Sequence, residues 1–175
     1  MRLNKIGRRF LIPSFVKTLL YGLRFRCFVS PRAEMDYSPR VTIGRGSNIS
    51  AFCKIKATGG PLKLGARVSI GAGCFISCDG EGVEIGDFSM IGANSAIMDS
   101  NYRYTRLDVP IREQGITSRG VKIGSNVWIG VGCVILDGSE IGDGVIVAPN
   151  SVVSGRVRDN AIVQGNPASV VFVRR

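Results

Sequence analysis

The stretch Val121-Lys122-Ile123-Gly124-Ser125-Asn126-Val127-Trp128-Ile129-Gly130 decides the fold, because its large aliphatic residues recur at a spacing of six. The same spacing runs through most of the chain. The six-residue grid has fifteen positions: Ile43, Ile49, Ile55, Leu64, Ile70, Ile76, Ile85, Ile91, Ile97, Ile123, Ile129, Ile135, Ile141, Val147 and Val153. Three successive units make one coil of about 18 residues with three short sides. The grid therefore predicts an all-β protein, a parallel β-helix of about five coils.

Two further columns support this prediction. The residue two places before each grid position is mostly small or β-branched, as Ser47, Cys53 and Val68 are, which suits a second inward position in a narrow prism. The residue after a grid position is often Gly on the first two sides of a coil, as at Gly92 and Gly130. We expect a positive φ at these glycines, because Gly adopts that conformation without steric penalty.

Extra residues interrupt the grid only after the third side of a coil. Three extra residues follow Ile55, three follow Ile76 and about twenty follow Ile97. All of the extra chain therefore leaves at one corner of the prism. Long loops on a rigid scaffold commonly carry binding and catalysis, so residues 98–120 are the first candidate for an active-site loop.

Composition indicates one compact domain in a reducing compartment. The 175 residues carry a net charge of +10, of which residues 1–40 supply nine Lys or Arg against two acidic residues. Basic residues are not spread along the coils with interleaved aromatics, so we predict no nucleic-acid partner. Three of the five cysteines fall in the inward column, which favours small buried thiols over disulfides and a cytoplasmic location.

Residues 1–40 form a basic N-terminal segment that contains a predicted amphipathic helix. Its apolar stripe recurs with helical spacing at Ile12, Phe15, Val16, Leu19, Leu20 and Leu23. The stripe is too short to span a bilayer and includes Lys17. Two interpretations stay open: the helix packs on its own β-helix or across a subunit contact, or residues 1–26 lie on an anionic inner membrane surface.

The last third of the chain resembles the hexapeptide-repeat acyltransferases. The similarity includes the opening stretch, Ala148-Pro149-Asn150-Ser151, and Gly165-Asn166-Pro167-Ala168; it covers residues 41–171 and leaves 172–175 as a tail. The subgroup resembled is that of sugar and polysaccharide O-acetyltransferases. The resemblance implies a left-handed β-helix, a homotrimer and acetyl-CoA bound in clefts between subunits, with no metal. Flat apolar prism faces independently favour a trimer.

The same resemblance assigns individual residues. Trp128 would line the donor cleft, and the backbones of Val131, Pro149 and Ser154 would contact the pantetheine arm. Ser77 and Asp79 fall near the contacts to the acceptor sugar. The family usually has Thr-Lys at Ser154-Gly155, so the CoA phosphates would need another cation, such as Arg156, Arg158, Arg174 or Arg175.

The chain departs from this family in having no histidine. In the family, a histidine in the loop accepts the proton of the attacking hydroxyl. Its counterpart here lies between Ser100 and Arg103, a segment that includes Tyr102, and an arginine at Arg103 cannot be that base. Histidine is also the usual ligand of the zinc in β-helical carbonic anhydrases, so that activity is excluded.

Three explanations compete. Another group serves as the base, with Asp99 preferred over Asp108 and Glu113 and a carboxylate pKa raised by burial, or the acceptor assists. Alternatively, the trimer is catalytically silent and acts as a binding or scaffold protein, or it uses another donor or reaction. Asp108 and Glu113 are also candidates for acceptor contacts. We expect an acetyl-CoA-dependent sugar O-acetyltransferase of a bacterial surface polysaccharide pathway.

Overall fold

The computed structural model describes residues 13–35 and 38–175. Within them the chain forms a parallel β-solenoid whose short strands stack into three sheets, with one helix at its N-terminal end. The predicted all-β parallel β-helix is confirmed, with about six turns instead of five. The part of the predicted apolar stripe that precedes residue 13, including Ile12, lies outside the described residues.

The three sheets are the three sides of the solenoid. Sheet I contains β1 (Phe28–Val29), β4 (Asn48–Ile49), β7 (Ser69–Ile70), β10 (Met90–Ile91), β15 (Trp128–Ile129), β18 (Ile146–Val147), β21 (Ala161–Gly165) and β22 (Ala168–Val173). Sheet II contains β2 (Glu34–Met35), β5 (Lys54–Lys56), β8 (Phe75–Ser77), β11 (Ala96–Met98), β16 (Val134–Ile135) and β19 (Val152–Val153). Sheet III contains β3 (Val41–Ile43), β6 (Leu62–Leu64), β9 (Val83–Ile85), β14 (Val121–Ile123), β17 (Glu140–Ile141) and β20 (Arg156–Val157). Neighbouring strands pair in parallel except β22, which pairs antiparallel with β21.

The additional turn comes from residues that the sequence analysis placed in the N-terminal segment. Strand β1 pairs with β4, and strand β2 pairs with β5, so the solenoid begins at Phe28 instead of residue 41. Val29 and Met35 are buried and six residues apart, as the grid requires. This turn supplies only two of its three sides, and Met35 stands where the grid elsewhere has Ile, Leu or Val, which hid the first turn. At the other end, β22 includes Phe172 and Val173, which the sequence analysis assigned to a tail.

Both inward columns of the prism are buried as predicted. All fifteen grid residues are at most 3% exposed. In the second column, side-chain donors bond to the carbonyls of the next turn: Ser95 Oγ donates to Gly130 O at 3.1 Å, and Cys74 Sγ lies 3.2 Å from Gly92 O. Ser and Cys therefore share this column because both are small and both donate a hydrogen bond.

The prediction of positive φ at the glycines after the grid positions was wrong. Among the described residues, neither Gly92 nor Gly130 has a positive φ. Positive values occur two residues further on, at Asn94 (58°) and Gly132 (68°). Gly92 is needed for space, because a Cβ there would lie 2.5 Å from the backbone carbon of Gly130 in the next turn. The turns stack so closely at this position that a side chain has no room.

Helix α1 (Ser14–Phe25) begins after Pro13 and packs against β1. Tyr21 is 1% exposed and belongs to the core that includes Val29 and Met35, and Thr18 Oγ1 donates to Val29 O at 2.8 Å. The helix therefore covers the N-terminal end of the solenoid core. No helix among the described residues is long and apolar enough to cross a membrane.

Candidate active site

The corner between sheets II and III carries every long insertion of the solenoid. The chain leaves it after β5, after β8 and after β11, and the last excursion is the predicted loop 98–120. This excursion is an antiparallel hairpin of β12 (Ser100–Tyr102) and β13 (Ile116–Ser118), with a tip that contains a short 3-10 helix (Ile111–Glu113). We call residues 100–118 the arm.

Asp99, the preferred base candidate, lies at the root of the arm and is 0% exposed. Its carboxylate accepts three backbone N–H groups, from Asp79 at 2.8 Å, Gly80 at 2.9 Å and Gly82 at 2.7 Å. These bonds fix the corner loop 79–82 of the preceding turn. A fully buried carboxylate with this set of partners is not open to an acceptor hydroxyl, so the geometry argues against Asp99 as the base and for a structural role.

The corner loop is also tied directly to the arm. Ser118 Oγ accepts the backbone N–H of Glu81 at 2.8 Å and donates to the carbonyl of Asp99 at 2.5 Å. The two segments are so close that a Cβ on Gly80 would lie 2.3 Å from Cβ of Ser118. The corner loop and the arm root therefore form one rigid unit.

This unit presents a polar pair at the corner. Ser77 Oγ donates to Oδ2 of Asp79 at 2.7 Å. Ser77 is buried at the end of β8, whereas Asp79 is exposed. Because the backbone N–H of Asp79 is held by Asp99, the exposed carboxylate has a fixed position. The structure thus brings together three predicted site residues, Ser77, Asp79 and Asp99, with only Asp79 open to a ligand.

The predicted residues of the arm are arranged differently. Tyr102 and Arg103 are exposed, and Ser100 is half-buried in β12. At the tip, Arg106 forms an ion pair with Asp108, and this hydrogen-bonded guanidinium holds the pKa of Asp108 below its usual value. Glu113 is exposed in the 3-10 helix. Asp108 is therefore engaged in organising the tip.

The tip is organised mainly by Gln114. Its side-chain Nε2 donates to the carbonyls of Arg106 and Val109 at 2.7 and 2.8 Å, and its Oε1 accepts the Arg106 N–H at 3.0 Å. The tip nevertheless leaves large apolar side chains in solvent, and Leu107 is fully exposed. The tip of the arm is thus held together by its own hydrogen bonds, and its apolar side chains are left exposed to solvent.

The predicted donor residues fall on two different edges of the solenoid. Trp128 projects outward from sheet I with 49% exposure, and Val131 and Pro149 follow at the corner between sheets I and II. Ser154 and Gly155 lie at the corner between sheets II and III, in the turn that leads to Arg156 in β20. The two edges are separated by the width of sheet II, on the order of 15 Å of extended chain. One chain alone does not bring its predicted donor residues together.

The C-terminal arginines differ in their contacts. Arg174 Nη1 donates to the carbonyl of Gly144 at 2.8 Å, which ties the end of the chain to the solenoid. Arg156 and Arg158 line a groove of about 310 Å³ on the outer face of sheet III, together with Lys122, Glu140 and Asp159. Acidic and basic side chains alternate here, which is typical of a protein face that stays in contact with solvent.

Asp137 is a structural carboxylate that the sequence analysis missed. It is 4% exposed, and its Oδ1 accepts the backbone N–H groups of Arg119 and Gly120 at 2.7 and 3.1 Å. Asp137 follows Ile135 at the same offset as Asp99 follows Ile97. This shared offset is the sequence signal that places both carboxylates at the corner between sheets II and III.

The fold and its repeat define a class of protein that sequence comparison also identifies. The chain matches the bacterial transferase hexapeptide (six repeats) family over residues 120–155, and the hexapeptide repeat of succinyl-transferase over residues 61–98. Together with the solenoid, these matches show that residues 61–98 and 120–155 carry the hexapeptide repeat of this class of transferases.

Two relatives and one solved structure are similar over most of the chain. The probable acetyltransferase Rv3034c of Mycobacterium tuberculosis is 33% identical over 151 residues, 85% of this chain, which spans only 50% of that protein. The putative lipopolysaccharide biosynthesis O-acetyl transferase WbbJ of Escherichia coli is 28% identical over 85% of this chain and 76% of its own length. The N-acyltransferase AntD of Bacillus cereus, solved with dTDP and 3-hydroxybutyryl-CoA, has a TM-score of 0.77 at 23% identity, covering 91% of this chain and 88% of AntD. The last similarity is one of fold.

Proposed function

We propose that this protein is an acyl-CoA-dependent acyltransferase that acetylates a sugar hydroxyl in bacterial surface polysaccharide biosynthesis. One observation carries the proposal: the exposed Asp79 carboxylate is held in place by Ser77 and by the Asp99-bonded corner loop, at the root of the arm. The similarity to WbbJ supports a sugar hydroxyl as acceptor and the acetyl group as the transferred unit. The acyl-CoA complex of AntD supports a CoA donor on this fold.

We propose a cyclic homotrimer, because the three faces of the solenoid differ. Sheet III presents a column of alternating charge, in which Lys63 pairs with Glu84 in register and Lys122 with Glu140. Sheet II begins with the Glu34–Lys54 ion pair, but the later turns of sheets I and II present apolar side chains. The outward residues of these turns include Met90, Trp128 and Phe172 in sheet I, and Phe75 and Val134 in sheet II. A closed ring with three-fold symmetry joins two different patches on each copy. Sheets I and II supply two such patches.

This assembly would also complete the donor site. If the edge that carries Trp128 and Val131 meets the edge of a second copy that carries Ser154 and Asp79, donor and acceptor residues come to face each other. Acetyl-CoA would then lie along the seam, with Trp128 beside the acyl end. Arg156 or Arg158 would meet the phosphates, because guanidinium groups bind phosphate with charge-assisted hydrogen bonds.

We propose Asp79 as the general base, the role for which the sequence favoured Asp99. The acceptor oxygen attacks the thioester carbonyl, its proton passes to the Asp79 carboxylate, and the carbon–sulfur bond breaks to release CoA, which takes up the proton. Ser77 would hold one carboxylate oxygen and leave the other for the acceptor. A general base contributes about 10²- to 10⁴-fold to such a step, so removal of this carboxylate should leave measurable residual transfer.

A second acceptor class is favoured by the absence of histidine from the sequence. A neutral amine attacks a thioester with its own lone pair and loses its proton only afterwards, so it needs no base to become a nucleophile. An amino sugar would therefore suit a site with a single exposed carboxylate better than a hydroxyl does. The fold similarity to an N-acyltransferase is consistent with this alternative.

The first experiment is calorimetric titration of the purified protein with acetyl-CoA and with CoA. Micromolar binding with one site per chain would support the proposal, whereas absence of binding at millimolar donor would favour a silent scaffold. Acyl transfer to two sugars that differ only in an amine or a hydroxyl at one carbon then distinguishes the acceptor classes. Asp79→Asn should slow hydroxyl transfer far more than Glu81→Gln, a matched loss of charge two residues away in the same corner loop.

We also propose a cytoplasmic location at the inner membrane surface. All five cysteines are free thiols in the structure, and four of them are buried, which suits a reducing compartment. Acceptors of surface polysaccharide pathways that are built on lipid carriers would be met at that surface.

A further inference from the structure

The side of α1 that packs on the solenoid is not the predicted apolar stripe. Tyr21 and Phe25 face the solenoid core, whereas Phe15, Leu19 and Leu23 are 68%, 59% and 74% exposed. The three exposed residues are four positions apart, so they form a straight ridge along one side of the helix. The ridge points away from the core that the same helix covers. Packing on the solenoid therefore does not account for the exposed stripe residues.

Basic side chains surround this end of the solenoid. The backbone carbonyl of Arg26 accepts the N–H of Gly46, that of Arg32 accepts Phe52, and that of Arg40 accepts Leu62. These bonds place one arginine at each of the three corners of the first turn. All three are exposed, although Arg40 Nη1 also donates to the carbonyls of Thr58 and Gly59. These three exposed arginines, which we call the ring, thus mark the three corners of the first turn, and the Arg40 guanidinium is directed to the corner of the next turn.

The charge of the whole molecule follows the same axis. Residues 13–70 contain ten Lys or Arg against two acidic residues, whereas residues 71–175 contain nine against eleven. Glu34, one of those two acidic residues, is paired with Lys54. The excess positive charge is therefore concentrated at the N-terminal end of the rod, and the opposite end is close to neutral.

We propose that the N-terminal end of the solenoid docks end-on against an anionic lipid bilayer. Phe15, Leu19 and Leu23 enter the headgroup region, and Arg26, Arg32 and Arg40 contact lipid phosphates. An exposed apolar ridge flanked by basic residues is the signature of an interfacial helix, and each Lys or Arg near an anionic surface strengthens the attraction to it. The solenoid axis then stands along the membrane normal, with the corner between sheets II and III held above the surface.

This orientation also agrees with the symmetry of a ring. In a three-fold ring whose axis runs along the solenoid, all three N-terminal ends face the same side. Three weak contacts then act together, and the overall membrane affinity exceeds that of one end by orders of magnitude without any new contact. The docking surface itself is independent of the acyltransfer chemistry, so either proposal can fail alone.

Flotation of the full-length protein with vesicles tests the proposal. The vesicles are phosphatidylcholine alone, or a 70:30 mixture of phosphatidylcholine and phosphatidylglycerol. We expect binding to the mixed vesicles only, weakening as salt is raised. The ridge variant Phe15→Ser/Leu19→Ser/Leu23→Ser and the ring variant Arg26→Gln/Arg32→Gln/Arg40→Gln should each weaken partitioning by roughly tenfold to a hundredfold. The control Arg112→Gln/Arg119→Gln/Lys122→Gln loses the same charge elsewhere and should bind as the wild type does.

Three results would overturn the proposal. The first is absence of binding to the mixed vesicles, and the second is equal binding by the ridge variant. The third is a change in oligomeric state of the ridge variant with unchanged vesicle binding, which would make the ridge a contact between copies. Because the ridge side chains are exposed, the ridge variant should have the same urea midpoint as the wild type. The urea midpoint of the ring variant is measured alongside, because Arg40 bonds to the corner of the next turn.

Discussion

The Asp99 carboxylate accepts the backbone N–H of Gly82 at 2.7 Å, and through this bond one turn of the solenoid fixes the corner of the turn before it. Two more N–H groups of the same corner, those of Asp79 and Gly80, converge on the same side chain. A residue that looks catalytic from its place at the loop root is therefore part of the scaffold. In the proposed mechanism, Asp99 contributes by holding Asp79 in position.

Replacement of Asp99 by Ala should destabilise the fold. The change leaves three backbone donors of the corner without their partner, and each unsatisfied buried group costs about 1–3 kcal/mol. We expect the free energy of unfolding to fall by roughly 3–5 kcal/mol in urea denaturation. The matched variant Asp137→Ala orphans two donors, so its loss should be smaller. An Asp99→Ala protein with the wild-type urea midpoint would contradict the structural role.

The inward Ser and Cys residues should be exchangeable with each other but not with Ala. Ser95 Oγ donates to Gly130 O and accepts the N–H of Cys133, so Ser95→Ala leaves two buried groups unpaired. We expect about 1–3 kcal/mol of destabilisation for Ser95→Ala and a smaller loss for Ser95→Cys, because Cys133 and Cys74 occupy the same column elsewhere. Equal urea midpoints for the two variants would show that size alone selects the column.

The sequence predicted the solenoid well because its core is a stack of equivalent turns. Each grid residue contacts equivalents one turn away, so a spacing of six in the sequence translates directly into a buried column, and all fifteen positions are buried. The first turn escaped because it supplies only two sides and has Met35 where the grid elsewhere has Ile, Leu or Val. The role of Asp99 escaped because its partners are backbone N–H groups of residues 79–82, and no spacing rule reports which corner loop a carboxylate will meet.

The candidate site was predicted less completely than the fold. The hydrogen bond between Ser77 and Asp79 was not predicted, and the donor residues Trp128 and Ser154 lie on different edges of one chain. The sequence pattern places a residue on a side or corner of its own prism and contains no information about the face that a second copy covers. Sites formed between chains are therefore visible only once the faces are compared in three dimensions.

Stability should fall as the pH rises above the ordinary range of a thiol. Burial, and then the nearby Asp99 charge, raises the pKa of Cys78 to about 12. A group whose pKa is raised in the folded state favours folding fully below its unfolded pKa and loses that contribution as pH rises toward the folded pKa. The free energy of unfolding should thus decrease between about pH 8 and pH 11. Cys78→Ala should show a shallower decrease, and identical slopes would contradict the assignment.

The oligomer should depend on the apolar faces. Trp128→Glu places a charge in the middle of sheet I, and a buried unpaired charge is strongly unfavourable at an interface. We expect analytical ultracentrifugation to show trimers for the wild type and monomers for Trp128→Glu. Val134→Glu should act similarly through sheet II. Lys122→Glu, on the charged face of sheet III, should remain trimeric; dissociation of this control would mean that sheet III takes part in assembly.

The tip of the arm should loosen without any loss of global stability when Gln114 is replaced. Its side chain makes three hydrogen bonds to the backbone of Arg106 and Val109, whereas the solenoid core does not involve the tip. In Gln114→Ala, amide hydrogen exchange of residues 103–115 should become faster, because local opening of the tip no longer has to break these three hydrogen bonds. Exchange in the strands should stay unchanged, as should the urea midpoint. Glu113→Ala removes a neighbouring exposed side chain and serves as the control. Unchanged exchange in Gln114→Ala would show that the tip is held by contacts outside its own chain, such as those with a second copy.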